Sequence, residues 1–226
     1  MKEWKEVKLE DVANVIGGGT PSTKNKNYWE GDIPWLTPKD LRGFSGRYIS
    51  GGERYITKEG YENSSAQMLP KDTVLMSSRA PIGYLAIATI DLCTNQGFKS
   101  FVIKDSFVTN LFLFYWLKSK TDYLQQLGTG TTFAEISGKV VQSISILLPP
   151  LKEQKAIAEV LSNLDDKIEL LQKQNETLEQ LAETLFRQWF VEEAEDDWEE
   201  KTLGDIALVS SGKPIKRKDF IKNGEY

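Results

Sequence analysis

Two hydrophobic periods divide the chain, and they change over at Pro149-Pro150. Ahead of the proline pair, short apolar runs alternate with turn residues. The clearest runs are Thr73-Val74-Leu75-Met76, Tyr84-Leu85-Ala86-Ile87-Ala88-Thr89, Lys99-Ser100-Phe101-Val102-Ile103 and Val141-Gln142-Ser143-Ile144-Ser145-Ile146-Leu147. Runs this short, rich in β-branched and aromatic residues, predict strands. A helix is predicted from about Thr109 to Leu127, where Leu111, Phe112, Phe114, Tyr115, Leu117, Tyr123 and Leu124 fall before a stop at Gly128. A shorter helix near Leu9–Val15 is expected to end at Gly17-Gly18-Gly19. Proline disfavours helical geometry in the residue before it, so the pair closes a mixed α/β (α+β) domain over residues 1–150.

Beyond Pro150, Leu161, Leu164, Ile168, Leu171, Asn175, Leu178, Ala182, Leu185 and Trp189 recur at alternating spacings of three and four. These are the a and d positions of a coiled coil, kept over four heptads without glycine or proline. A helix over Lys152–Phe190 would be about 58 Å long at about 1.5 Å per residue. Such a rod is too long to hide its seam against one small domain, so residues 151–191 are expected to form a long coiled-coil spacer and dimerisation helix. Asn175 at an a position either fixes register and partner number or sits where the seam is partly open.

Residues 192–226 begin with an acidic stretch, Glu192-Glu193-Ala194-Glu195-Asp196-Asp197, that reads as a solvated linker. Then Trp198–Val209 repeats Trp4–Val15 at a fixed offset of 194, with Trp, Glu, Leu, Asp, Ala and Val identical and Val12/Ile206 conservative. Allowing a one-residue gap, Pro21 matches Pro214 and Gly31 matches Gly224. A long-period repeat with a helix between its copies implies a duplicated domain, whose second copy has barely begun at Tyr226.

Composition narrows the chemistry. The chain has 226 residues, no histidine and one cysteine, Cys93. The commonest general base and metal ligand are therefore missing, no internal disulfide is possible, and a reducing cytoplasm is the expected compartment. No apolar run approaches a membrane span, and the charged N-terminus carries no secretory core. The net charge is −5, but it is uneven: 17 Lys/Arg against 15 Asp/Glu over 1–150 gives +2, and 11 against 18 over 151–226 gives −7. The acidity lies outside the globular part, which leaves room there for a local basic groove that contacts phosphate. Trp4, Trp35, Trp116 and Phe133 are expected in the core, and Cys93 as a buried small hydrophobe.

The chain resembles the specificity subunits of type I restriction–modification systems. The resemblance rests on Leu147-Leu148-Pro149-Pro150-Leu151-Lys152-Glu153-Gln154-Lys155-Ala156-Ile157-Ala158 and on Val74-Leu75-Met76-Ser77-Ser78-Arg79-Ala80-Pro81-Ile82-Gly83. Gly18-Gly19-Thr20-Pro21-Ser22, Ile33-Pro34-Trp35-Leu36-Thr37 and Asn95-Gln96-Gly97-Phe98 support it. It implies a target-recognition domain followed by one long helix, in a family that carries two such pairs in a circular arrangement. The usual second domain and helix are missing. The implied partners are double-stranded DNA, the methyltransferase subunits and, through them, the restriction subunit. A homodimer through antiparallel long helices would rebuild the missing half. No catalytic residue, cofactor or metal is implied.

Within that reading, Arg79 either contacts phosphate or makes an ion pair inside the domain. Family members that read different sequences resemble one another at Ser77, Ser78 and Arg79, which suits backbone contact or scaffold better than base reading. Base reading is expected from the loops Thr20–Asn27 (Thr20, Ser22, Lys24, Lys26), Arg42–Arg54 (Arg47, Tyr48) and Thr129–Thr132 (Thr129, Thr131, Thr132). Lys213, Lys216, Arg217 and Lys218 are weaker phosphate candidates. The partner helix is expected to meet Leu161, Leu164, Ile168, Leu171, Asn175, Leu178, Leu185 and Trp189. Two rivals remain. A recognition domain of a DNA methyltransferase would need a Gly-rich methyl-donor loop and an Asp/Asn-Pro-Pro-aromatic motif, whereas Pro149-Pro150 is flanked by Leu148 and Leu151. A pure coiled-coil scaffold leaves the α/β domain without a purpose.

Overall fold

A computed structural model of the chain describes residues 4–79, 81–104, 107–130, 134–194 and 198–212. It comprises two compact units, Met1–Lys173 and Gln174–Tyr226. In the first, the elements run β1 (Lys5–Lys8), α1 (Leu9–Val12), β2 (Ala13–Gly17), β3 (Trp29–Leu36), β4 (Tyr48–Ile49), β5 (Arg54–Ile56), α2 (Lys58–Glu62), β6 (Val74–Ser78), β7 (Ile82–Ala88), β8 (Cys93–Thr94) and β9 (Phe98–Ile103). Then follow α3 (Asn110–Ser119), α4 (Thr121–Gln126), α5 (Gly138–Ser143), β10 (Ser145–Leu148) and the long α6 (Leu151–Arg187). The expected class, a mixed α/β domain followed by one long helix, is what the chain adopts.

Five strands in the order β2-β9-β6-β7-β4 form the central sheet, antiparallel except for the short parallel pair β4–β7. Alternation along β6 explains its unbroken apolar run. Val74 and Met76 face a core built with α1, α3, α4 and α5, while Leu75 faces a second core with Leu36, Leu41 and Phe98. A sheet covered on both faces needs hydrophobic residues at every position. A smaller sheet, β5-β3-β8, covers Trp35, Ile56, Ala66 and Cys93. Within β3, Glu30 has φ 63 and the pairing with β5 slips between Trp29 and Ile33, so a bulge bends the strand. The last pair, β1–β10, ties the N-terminus to the strand that precedes the long helix.

Several local expectations are corrected. The helix near Leu9–Val15 covers only Leu9–Val12, because Ala13 turns extended and Ala13–Gly17 pairs with Phe98–Ile103's strand instead. The Thr109–Leu127 helix breaks at Lys120: the Ser119 and Thr121 hydroxyls donate to the carbonyls of Trp116 and Lys118, competing with the helical ladder. Val141-Gln142-Ser143 is helical, in α5, and only Ser145–Leu148 is extended. Trp35 is core at 3% exposure and Trp116 is half-buried, but Trp4 is 44% exposed, its indole donating to Glu153. Phe133 lies outside the described residues. The long helix starts at Leu151, where the expected helix of residues 151–191 begins, and gives way to a π turn over Gln188–Glu192.

In the second unit, Phe190 lies 5.1 Å from Phe186 and 5.9 Å from Trp198, ring centre to ring centre. The repeated segment then takes the local fold of its first copy. In α7 (Leu203–Ile206), the Thr202 N–H donates to Asp205 at 2.9 Å, as the Lys8 N–H does to Asp11 at 2.9 Å. Both helices end on an extended alanine, Ala207 and Ala13. The surroundings differ: Leu9 is fully buried, whereas Leu203 is 71% exposed. Among the described residues no helix is long and apolar enough to cross a membrane.

Candidate nucleic-acid interface

One end of the central sheet gathers three separate stretches of sequence. There β2 and β6 finish and β7 and β9 begin, with Gly17 opposite Lys99 and Ser78 opposite Ile82. The loop leaving Gly17 is held from below. The Gly19 N–H donates to the Thr94 carbonyl at 2.9 Å, the Trp35 indole donates to the Gly19 carbonyl at 2.8 Å, and the Trp29 indole donates to the Ser22 carbonyl at 3.2 Å. Gly18 and Gly19 are required by closeness: a Cβ would stand 2.2 Å from the Thr94 carbonyl oxygen at Gly18 and 2.3 Å from the Ser65 backbone at Gly19. Arg54 stacks its guanidinium 3.5 Å over the Trp29 ring and so braces the platform. On this support Ser22, Lys24 and Lys26 point into solvent, while the Thr20 hydroxyl is taken up by Gln96 at 2.6 Å.

Gln96 belongs to the turn that also receives the end of β6. The Ser78 N–H donates to the Gly97 carbonyl at 2.7 Å, and the Ser78 carbonyl accepts the Ile136 N–H at 3.0 Å. Ser77 accepts the Tyr84 N–H at 2.8 Å and donates to the Pro81 carbonyl at 2.7 Å, closing the β6–β7 turn. Both serines are wholly buried. Buried and hydrogen-bonded within the turn, they hold the backbone that leads to Arg79. Arg79 lies 3.8 Å from Glu135, and Lys99 reaches the same carboxylate at 3.4 Å. Two cations thus share one anion, which leaves a net positive charge at this corner. Thr129 joins through paired backbone hydrogen bonds with Glu135, both 3.0 Å, and is exposed. Thr131 and Thr132 lie outside the described residues, as do Lys213, Lys216, Arg217 and Lys218.

Arg47 is not brought to this corner. Its carbonyl accepts the Ile87 N–H at 2.7 Å near the far end of β7, and its side chain turns to the long helix. There it donates to the Ser162 carbonyl at 3.0 Å and to Asp166 at 2.5 Å, with Asp165 3.9 Å away. Only 12% of the side chain is exposed. Burial is the largest single influence and works against its charge, but the bond to Asp166 and the interactions with Tyr115 together outweigh it and hold the guanidinium pKa above its ordinary value. Its neighbour Tyr48 is half exposed. Sequence reasoning missed Lys99 and Glu135 at the interface and Asp165, Asp166, Tyr115 and Lys118 around Arg47. Only Asp165-Asp166, a carboxylate pair beside the seam, left a visible sign.

The seam is open to solvent. In the first unit Leu164 and Ile168 are 57% and 53% exposed, with Leu161 and Leu171 less so. In the second, Asn175, Leu178 and Trp189 are exposed and Leu185 is half-buried. Elsewhere the chemistry is quiet. Burial pushes the Cys93 thiol up to about 11, which keeps it protonated and unreactive at neutral pH. No His/Cys/Asp/Glu group among the described residues is arranged to hold a metal ion.

Comparison with known proteins matches residues 1–180 to the family described as type I restriction modification DNA specificity domain. The type I restriction enzyme MjaIX specificity subunit of Methanocaldococcus jannaschii is 44% identical, over 97% of this chain and 55% of the relative. The EcoR124I/EcoR124II specificity subunit of Escherichia coli is 31% identical, over 77% of this chain and 46% of the relative. The chain spans about half the length of the curated relatives it matches. In fold it is similar to a subunit in a structure of a type I restriction–modification complex, with TM-score 0.64, 24% identity, and 82% of this chain and 44% of that one covered. It is also similar to the HsdS subunit from Thermoanaerobacter tengcongensis, with TM-score 0.59, 23% identity and coverage of 76% and 40%.

Proposed function

Because the chain belongs to the type I restriction–modification DNA specificity family, we propose that it acts as a sequence-specific DNA-recognition subunit. It binds double-stranded DNA through residues 1–150 and catalyses nothing itself. It directs methyltransferase subunits, and through them the restriction subunit, to a target in the cytoplasm. The observation that carries this reading is the convergence of the Thr20 loop, the Arg79 turn and Thr129 at one end of the central sheet. Rigidly backed loops with exposed polar tips suit base edges, and a corner with excess positive charge suits the phosphate that sets their register. Ser22, Lys24, Lys26, Thr129, Thr131 and Thr132 are the proposed reading residues, and Arg79 a backbone contact. Thr20, Ser77 and Ser78 act beneath them.

Residues 151–191 serve as spacer and dimerisation helix, and 192–226 as an acidic linker and the start of a second recognition domain. Support comes from the exposed a/d residues and from the α7 segment, which copies α1 down to its cap. Two chains with antiparallel helices cover the seam and present two recognition domains, so the target is an inverted repeat. The test is selection from a random DNA pool by this chain together with its methyltransferase partner. Enrichment of one inverted-repeat motif with a fixed spacer is expected. A pool that stays random would overturn the reading.

A further inference from the structure

Two sets of hydrogen bonds anchor the long helix to its own domain, on either side of a stretch where Ile157 and Ala158 pack into the core. In the first turn Gln154 is fully buried, and its carboxamide meets three backbone groups. Eleven residues on, about 16 Å along the axis at about 1.5 Å per residue, two other elements converge on one face of the helix. Arg47, at the head of β4, donates to the Ser162 carbonyl and to Asp166. The Tyr115 hydroxyl of α3 donates to Asp165 at 3.0 Å, and Lys118 lies 3.2 Å from the same carboxylate.

This arrangement fixes more than attachment. At about 100° per residue, Ser162, Asp165 and Asp166 cover an arc from roughly 40° to 140° around the axis from Leu161, to one side of the a/d seam. Three donors on two other elements meet this arc together. A one-residue rotation of the helix, about 100°, would bring one carboxylate to the azimuth of the other and leave either Arg47 or the Tyr115–Lys118 pair without its partner. The first anchor therefore sets where the helix starts, and the second sets its direction and the way its seam faces. Arg47 is costly to bury, and its Nε has no hydrogen-bond partner among the described residues. A hydrophobic contact would hold the helix as firmly, but with a less definite angular setting, because dispersion contacts are not directional.

We propose that Arg47 is a positioning residue for the spacing of DNA half-sites. It locks the recognition domain at one angle and one rotation on the spacer helix, so that a paired seam places two recognition domains at a single separation. It acts on the helix and reads no base, although it lies in a loop of the kind that does. This rests on the two-fold reading proposed above.

The test compares Arg47→Met, which keeps the aliphatic stem, and Arg47→Lys, which restores one charged donor, with the unaltered chain. Two readouts are needed, both with the full chain. Hydrogen exchange of the free protein should show the Leu161–Lys173 amides exchanging at least tenfold faster in Arg47→Met, with Asn110–Ser119 unchanged and Arg47→Lys intermediate. Random-pool selection with the methyltransferase partner should return the same half-site bases for all three. The spacer, one length in the parent, should spread over two or more adjacent lengths in Arg47→Met and narrow again in Arg47→Lys. Faster exchange with an unchanged single spacer would make Arg47 merely structural and overturn the proposal. So would unchanged exchange in Arg47→Met, or a changed base within a half-site. A parent chain that selects no bipartite site at all would bring down the two-fold reading, and this use of the clasp with it. The exchange result would then stand separately as a statement about the helix.

Discussion

The Gln154 side-chain oxygen accepts the backbone N–H of Thr109 at 3.1 Å, joining the first turn of the long helix to the N-cap of α3. The same carboxamide donates to the carbonyls of Phe107 at 2.8 Å and Pro149 at 2.9 Å. One amide thus closes three backbone groups at the junction between domain and helix, and it does so with every atom in its proper sense.

Substitution there should discriminate by chemistry. Gln154→Ala leaves the Thr109 N–H and two carbonyls without this partner, a loss of about 1–3 kcal/mol for each of these groups that water cannot reach. Gln154→Glu keeps the shape but turns an oxygen towards two carbonyl oxygens, so the carboxyl must stay protonated or repel them. Chemical denaturation at pH 7 should rank parent above Gln154→Ala and Gln154→Ala at or above Gln154→Glu. At pH 4, where the acid can protonate and donate, the Glu variant should recover relative to Ala. A Glu variant as stable as the parent at pH 7 would contradict the assigned donor sense.

At the corner proposed to face DNA, Glu135 holds Arg79 and Lys99, the two cations that a phosphate could otherwise use. Glu135→Gln should free both cations. Binding to all duplexes should then tighten several-fold, with a salt dependence steeper by up to about one phosphate contact. Arg79→Ala should weaken all sequences alike and flatten the salt slope. These are fluorescence-anisotropy titrations of specific and scrambled duplexes across salt. A change in preferred base at one position in Arg79→Ala would reassign that residue to base reading.

Three strands of the central sheet, β6, β7 and β9, were legible in the sequence as apolar runs, whereas Ala13–Gly17 was expected in a helix and Tyr48–Ile49 in a loop. The long helix was legible because its seam is exposed and repeats regularly. The loop backing was not. That Trp29 and Trp35 spend their indole N–H groups on Ser22 and Gly19 depends on a bulge at Glu30, which no local pattern announces. Val141-Gln142-Ser143 reads as strand by composition, yet Ser137 caps the Val140 N–H and the segment turns helical against α1. Arg47 shows the sharper limit. An arginine in a loop beside DNA-reading candidates has the composition of a base contact, and only the fold brings Asp165 and Asp166 to it from well over a hundred residues away.

Burial of Cys93 carries a pH prediction. Its thiol is raised from 9.0 to about 11, so between those values the folded chain keeps a proton that the unfolded chain releases. Stability from this group is fully present below about pH 9 and falls as pH rises through that window, by about 2–3 kcal/mol at about 1.4 kcal/mol per unit. Tyr115, also raised chiefly by burial, pushes in the same direction above pH 10. Thermal unfolding of Cys93→Ala should be less steep in pH from 9 to 11 than that of the parent, whatever its stability at pH 7. Parallel curves would mean that the thiol does not carry this part of the alkaline loss.

If the long helix measures the distance between half-sites, its length must enter the target. Inserting one heptad within Leu161–Leu185 turns the downstream helix by only about 20° relative to an unbroken seam, because seven residues are close to two turns, and lengthens it by about 10 Å. The a/d pattern is preserved, and so is the pairing that depends on it. At 3.4 Å per base pair, that adds at most about three base pairs between half-sites, and fewer where the helices run oblique to the DNA. The half-sites themselves should be unchanged, because no recognition loop has been touched. A four-residue insertion is the matching control: it adds about 6 Å but turns the seam by about 40°, which should cost pairing before it changes spacing. Random-pool selection with the methyltransferase partner should therefore return the parent half-sites at a longer spacer for the heptad variant, and poor enrichment for the four-residue one. A heptad variant that folds, pairs and still selects the parent spacer would show that the helix tethers the two recognition domains without measuring between them.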